Sequence, residues 1–355
     1  MSTCNTLGDL KTLKISPFPI ACHVMKRILI LIAKIVVIVI LFIFLFKSNR
    51  LTKEQVAEIY KTRNVIFFAI SGIAFFSAQF LAAVRLRILL KTTDVSVCLK
   101  KCFQLTMIGS FFSMIMLGMT GGDIVKGYYL LNEETNDKGR SSAVIVMDRV
   151  IGLFSAIFLT SIFIVYMLYY HLTTSIAGHN GLFITFAAIL GSLLCLLTGL
   201  LFLGTNQRAR EKLRQFWFAR LSRNFMYRMA EGFVGILRHR QALLLVFLIS
   251  VAIQLLSLVS VLVFGMLISE SLPPLVVQAA VSSVVFITGS IPVTPGNIGW
   301  TELVGAFGWA AVGSSAGGAI FLYRRFTNIL CSLPGGLFYV SLNYENRQIQ
   351  KVDNS

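Results

Sequence analysis

Long apolar runs separated by short charged stretches set the pattern of this chain. The runs fall at 28–46, 65–84, 102–118, 142–169, 181–204, 242–268, 275–291 and 317–342. Several approach the ~20 residues that a helix needs to cross a hydrocarbon core of ~30 Å. In lipid, backbone polar groups must be satisfied internally, and a helix does this within one segment. The pattern predicts an all-α, polytopic integral membrane protein. Lys26-Arg27 precede the first run, which is too long for a signal peptide and lacks a small-residue cleavage site. It reads as an uncleaved membrane helix. The predicted organisation is a cytosolic tail over 1–25, a membrane domain over 26–345 and a second cytosolic tail over 346–355.

Two stretches interrupt the apolar pattern in the same way. One is Met119-Thr120-Gly121-Gly122-Asp123, and the other runs from Ile291 through Pro292, Pro295, Gly296, Asn297 and Gly299 to Glu302. Each places helix breakers and a carboxylate where lipid-like residues are expected. Irregular backbone at membrane depth needs cover from protein or a water-filled cavity. A pair of interrupted segments, one per half, points to the central site of a transporter.

Loop charge orders these segments across the bilayer. The stretch from Thr205 to Gln241 holds nine basic and two acidic residues, which predicts a cytoplasmic location. Counting helices back from it, the polar stretch 132–140 and the basic stretch Arg85 to Lys101 both fall inside. The chain between them must then leave and return as a hairpin turning at Thr120-Gly121-Gly122. Counting forward, 275–316 enters from outside and turns at Pro292, Pro295, Gly296 and Gly299, so that the tail with Arg347 and Lys351 ends inside. The expected topology is about six full spans plus two opposed re-entrant hairpins, with both termini cytoplasmic in the plasma (inner) membrane. Opposed hairpins in two halves imply an inverted repeat. That inference rests on helix parity, because no residue-level similarity between the halves is evident.

Composition narrows the function classes. Only 13% of the 355 residues are charged and 56% are hydrophobic, against about 25% charged in a soluble domain. The net charge of +17 fits the positive-inside rule and attraction to anionic lipid. Nucleic acid is not expected as a partner, since no aromatic-basic motif of the single-strand-binding kind occurs. Cys4, Cys22, Cys98, Cys102, Cys195 and Cys331 show no framework spacing. The four histidines lie in tails or loops, and no nucleophile–base spacing, phosphate-binding glycine loop or metal cluster is present. No catalytic residue, metal or cofactor is therefore predicted.

Ionisable residues inside membrane segments remain as the candidate chemistry, because burying them in lipid is costly without a cavity or partner. They are Lys34, Asp123, Lys126, Asp148, Arg149, Glu302, Arg324 and Arg325. Asp123 after two glycines reads as a helix N-cap, with Lys126 one turn on as a local ion-pair partner or a phosphate contact. Asp148 and Arg149 are adjacent and cannot face each other on a helix, so separate partners are expected. Arg149 offers a planar fork suited to phosphate, or snorkels to the interface. Glu302 is placed to cap, carry a proton or neutralise one of Arg324 and Arg325. The cationic surplus suits an anionic headgroup, and Asp123, Lys126, Arg149, Glu302, Arg324 and Arg325 are the predicted substrate-binding residues.

These motifs, in this order, resemble a known family. Gly121-Gly122-Asp123-Ile124-Val125-Lys126, Asp148-Arg149-Val150-Ile151-Gly152-Leu153, Gln254, Pro292 to Gly299 with Glu302, and Tyr323-Arg324 are similar to the lysylphosphatidylglycerol synthetase/flippase transmembrane family. The resemblance runs over about residues 25 to 345. Two departures stand out: Lys126 where arginine is common, and Asn297 where a second glycine is usual. Asparagine tolerates left-handed backbone, so the turn survives. The resemblance implies lipid translocation between leaflets. The soluble aminoacyltransferase domain of the bifunctional members is not expected in this chain. The cargo implied is a phospholipid or a polyprenyl-linked or glycolipid molecule. The alternatives are a membrane-embedded lysyl- or glycosyl-lipid transferase, or an accessory subunit that hands lipid to a lipid-modifying enzyme.

Overall fold

The computed structural model describes residues 65–93, 95–116, 120–133, 138–169, 191, 225–268, 272–291 and 293–353. The expected first helix at 28–46 lies outside them, as does nearly all of the one at 181–204. The described residues form helices α1 (Val65–Lys91), α2 (Leu99–Ile115), α3 (Thr120–Glu133), α4 (Lys138–Tyr169), α5 (Phe225–Arg238), α6 (Arg240–Ile268), α7 (Leu275–Thr288), α8 (Trp300–Ala311) and α9 (Gly317–Asp353). Among them, Val65–Lys91, Gly139–Met167 and Arg240–Ile268 are long and apolar enough to span a bilayer. The protein is an all-α polytopic membrane protein.

Side-chain contacts give the helix directions. Phe68 of α1 packs on Phe264 of α6 at 5.1 Å between ring centroids, and Arg85 reaches Ser250 at 3.0 Å. Early α1 therefore meets late α6, and the two run antiparallel. Phe68 also stacks on Tyr323 of α9 at 5.8 Å, while Gly72 faces Cys331. Both numbers rise together, so α1 and α9 run parallel.

Two short helical hairpins sit between these long helices. In the first, Gly121 lies on Met116, and Gly122 on Gly109 and Ser113, so α3 folds back along α2. In the second, Gly289 meets Thr301 and Gly308 meets Val281, so α8 folds back along α7. Helix α9 passes both in turn. Its Gly317 packs on Gly305 and Trp309 of α8, and its Gly335 on Met107 and Phe111 of α2. Pro334 removes one backbone donor beside this last contact. The hairpins thus approach from opposite ends of α9 and meet tip to tip. At the meeting point the Gly296 N–H donates to the Met116 carbonyl at 2.9 Å. Gly296 sits at φ +57°, and a Cβ there would come within 2.5 Å of the Met114 oxygen, so only glycine fits.

The structure corrects several boundaries. Gly121 and Gly122 are not the turn: α3 already begins at Thr120. Gly122 is required instead by close packing, since a Cβ there would collide with the Gly109 carbonyl and the Ser113 hydroxyl. Gly122→Val is expected to cost about 1–3 kcal/mol or more through overpacking, read as a lowered melting temperature in detergent. Gly235→Ala serves as the control, because its Cβ meets nothing within 4 Å. Pro292 lies outside the described residues; Pro295, Gly296 and Gly299 do form the second turn. Helix α1 continues to Lys91, so Arg85 and Arg87 belong to a helix rather than to the basic loop. The basic stretch from Thr205 to Gln241 contains α5, and α9 carries on as a helix to Asp353 through the expected tail.

Candidate functional site

The charged residues of the two interruptions are answered by the long helix that follows each hairpin. In the first, Asp123 is in the opening turn of α3 and pairs with Arg149 of α4. In the second, Glu302 is in the opening turn of α8 and pairs with Arg325 of α9. The partners lie 26 and 23 residues apart in the chain. Each half therefore repeats one plan: long helix, hairpin, long helix, with a carboxylate from the hairpin held by an arginine from the second long helix.

Local chemistry explains where each carboxylate sits. Glu302 is completely buried. Its Oε2 accepts the Gly299 N–H at 2.8 Å and its Oε1 faces Arg325. Gly299 has no side chain to return the bond, so only the glutamate half of a capping box forms. Arg325 also donates to the carbonyls of Gly296 and Asn297 at 2.7 and 2.8 Å and to the Thr301 hydroxyl. One guanidinium thereby satisfies the open backbone of the turn, a geometry suited to its five fixed donors. Asn297, at φ +54°, adds a bond from Nδ2 to the Gly289 carbonyl.

The first hairpin is fastened differently. Asp148 of α4 accepts from Arg85 of α1 at 2.7 Å and lies 3.5 Å from Lys126 of α3. All three side chains are at most 12% exposed. Arg85 bonds Ser250 of α6 as well, so this network joins α1, α3, α4 and α6. Arg149 is the open member of the group, with its side chain 41% exposed beside Asp123.

Several expectations need correction against this geometry. Asp123 points to Arg149 rather than capping α3, although the helix N-terminus still favours its charge. Lys126 turns to Asp148, not to Asp123. Asp148 and Arg149 do take separate partners. Glu302 does cap and does pair with one arginine of the Arg324-Arg325 pair. The other, Arg324, lies over the Phe286 ring at 4.4 Å and makes no hydrogen bond with another described residue. Arg85 was missed because it stood at the end of an apolar run; the buried Leu86, Leu89 and Leu90 continuing the helical period were the signal available.

Among the described residues, eight charges thus gather around the two hairpins. The cations are Arg85, Lys126, Arg149, Arg324 and Arg325, and the anions are Asp123, Asp148 and Glu302. Among these residues positive charge is in excess. No group of three or more metal-ligating side chains occurs among the described residues.

No curated protein and no solved structure matches the chain. The family model described as the lysylphosphatidylglycerol synthase TM region matches residues 31–335, which include both hairpins and every ion pair above; the chain belongs to that family, and its role concerns membrane lipids.

Proposed function

We propose that the protein translocates an anionic or phosphate-bearing lipid between leaflets. The headgroup passes the point where the two hairpins meet while the tails stay in the bilayer. The observation that carries this reading is the excess of cations around that meeting point. Arg325 and Arg85 are committed to the turn and to Asp148. Arg324, which lies over the Phe286 ring and shares the Glu302 carboxylate's field with Arg325 without bonding to it, and the more exposed Arg149 are the groups placed to receive phosphate oxygens. Asp123 and Glu302 keep the neighbouring arginines in position. Read in a membrane, the hairpins are re-entrant and come from opposite leaflets, which supports an inverted repeat.

Charge distribution supports an orientation. Lys91, Lys100, Lys101, Arg140, Arg228, Arg238 and Arg240 lie at the end where α1 finishes and α4 and α6 begin. Toward the opposite end, where Tyr323 packs on Phe68 and Phe264, the basic residues among the described ones are Arg324 and Arg325 of the hairpin site. The basic end is then cytoplasmic, in a plasma membrane.

Reconstitution tests the reading. Liposomes containing the protein and a fluorescent phosphate-headgroup lipid are quenched from outside. The account expects flip-flop at least about tenfold faster than in protein-free liposomes, a lowering of the barrier by about 1.4 kcal/mol or more. Equal rates with and without protein, for phospholipid and polyprenyl phosphate alike, would sink it.

A further inference from the structure

Helix α5 has a strongly two-sided surface that the translocation reading does not use. One side is fixed to the bundle. Gly232 packs closely on Arg140 and Ala143 of α4, and Ile236 is fully buried in a cluster with Leu86, Val144 and Met147. The other side is an exposed stripe of Arg228, Glu231 and Arg238, spaced one turn or two apart. Glu231 is tied to Arg140 at 3.0 Å, and among the described residues the stripe carries two arginines against this one glutamate.

The position of this stripe fixes what it meets. A single residue, His239, separates α5 from α6, and Arg240 opens α6. Both are exposed, and so are Leu244, Leu245 and Leu248 just beyond them. Exposed leucines on a membrane-spanning helix face lipid tails, so the α5–α6 elbow one turn earlier lies at headgroup depth. An amphipathic helix with arginines at that depth is attracted to anionic lipid.

We propose that the α5–α6 elbow is a peripheral binding site for the anionic headgroups of phospholipids in the adjacent leaflet, formed by Arg228, Arg238, His239 and Arg240. It is separate from the hairpin site and does not depend on translocation. Lipid held there lies against α5, which packs through Gly232 on α4, the helix that carries Asp148 and Arg149.

The full-length protein in nanodiscs provides the test. Discs of phosphatidylcholine alone are compared with discs holding phosphatidylglycerol as well. Amide hydrogen exchange over 225–241 is expected to slow by about tenfold or more with phosphatidylglycerol, since each arginine near an anionic surface contributes roughly a fivefold preference. The triple variant Arg228→Gln/Arg238→Gln/Arg240→Gln should lose that difference. A charge-matched variant, Lys91→Gln/Lys100→Gln/Lys101→Gln, should keep it. Should the triple variant fail to fold, the single variant Arg238→Gln, set against the lysine variant, takes its place and should lose most of the difference. Equal exchange in both disc types overturns the proposal. So does equal loss in both variants, which would mean diffuse attraction to the whole basic end. Protection by inorganic phosphate in phosphatidylcholine discs, or protection only when two copies share a disc, overturns it too.

Discussion

Glu302→Ala is expected to destabilise the protein by about 3–5 kcal/mol, the usual cost of leaving a buried charge without its partner. Arg325 is only 12% exposed at its side chain and has no second carboxylate among the described residues. The alanine also removes the acceptor of the Gly299 N–H, so the first turn of α8 loses its cap. Loosening should begin at the second hairpin tip, where Arg325 holds the Gly296 and Asn297 carbonyls. A double-mutant cycle with Arg325→Met, followed by melting in detergent, gives the coupling. The account expects the double variant to be less damaged than the two single losses added together. Strict additivity would mean that the pair contributes no direct interaction.

The second large effect is expected at Asp148. Asp148→Ala leaves two cations, Arg85 and Lys126, buried and facing each other without an anion between them. The cost is again of order 3–5 kcal/mol, and it falls on the joint between α1, α3, α4 and α6. Asp148→Asn keeps the shape and one acceptor but removes the charge, so it should recover little. Pairing Asp148→Asn with Lys126→Met removes one of the orphaned cations and should restore much of the melting temperature. An unaffected melting temperature in Asp148→Ala would show that the network is solvated and carries little energy, as exposed pairs do.

Much of this arrangement was legible in the residues. Apolar run length gave the membrane helices, because bilayer thickness imposes it. The two interruptions marked the hairpins for different reasons: Gly296, Asn297 and Gly299 take left-handed backbone at the second, while Gly122 permits close packing at the first. That Asp148 and Arg149 would part company followed from helix geometry, and that Glu302 would hold an arginine followed from the cost of burial.

What failed to read was tertiary. Asp123 and Lys126, at i and i+3, satisfy the local rule for an ion pair, yet each found a stronger partner on α4. A sequence pattern weighs near neighbours and cannot weigh a helix packed against them. Arg85 was hidden by its place at the end of an apolar run, where a positive charge looks like a loop. Helix α5 was hidden by the opposite error. Met229, Gly232, Phe233, Ile236 and Leu237 recur at helical spacing, but nine basic residues in the surrounding stretch drew attention to charge and away from period. Gly122 was read as turn chemistry, when its use is to let α3 lie against α2.

The central claim is that cations at the meeting of two hairpins select an anionic headgroup. Its most direct test compares, in proteoliposomes, the flip rate of a phosphate-bearing lipid with that of an uncharged lipid of identical tails. Wild-type and Arg324→Gln proteins are measured side by side. Arg324→Gln removes a contact over Phe286 worth about 0.5–2 kcal/mol, so the variant should stay folded. The account predicts that the wild type prefers the phosphate-bearing lipid by about tenfold or more and that the variant loses most of that preference, since a lost charge-assisted hydrogen bond is worth about 1.5–3 kcal/mol. A wild type that moves both lipids equally, or a folded variant with its preference intact, would contradict it.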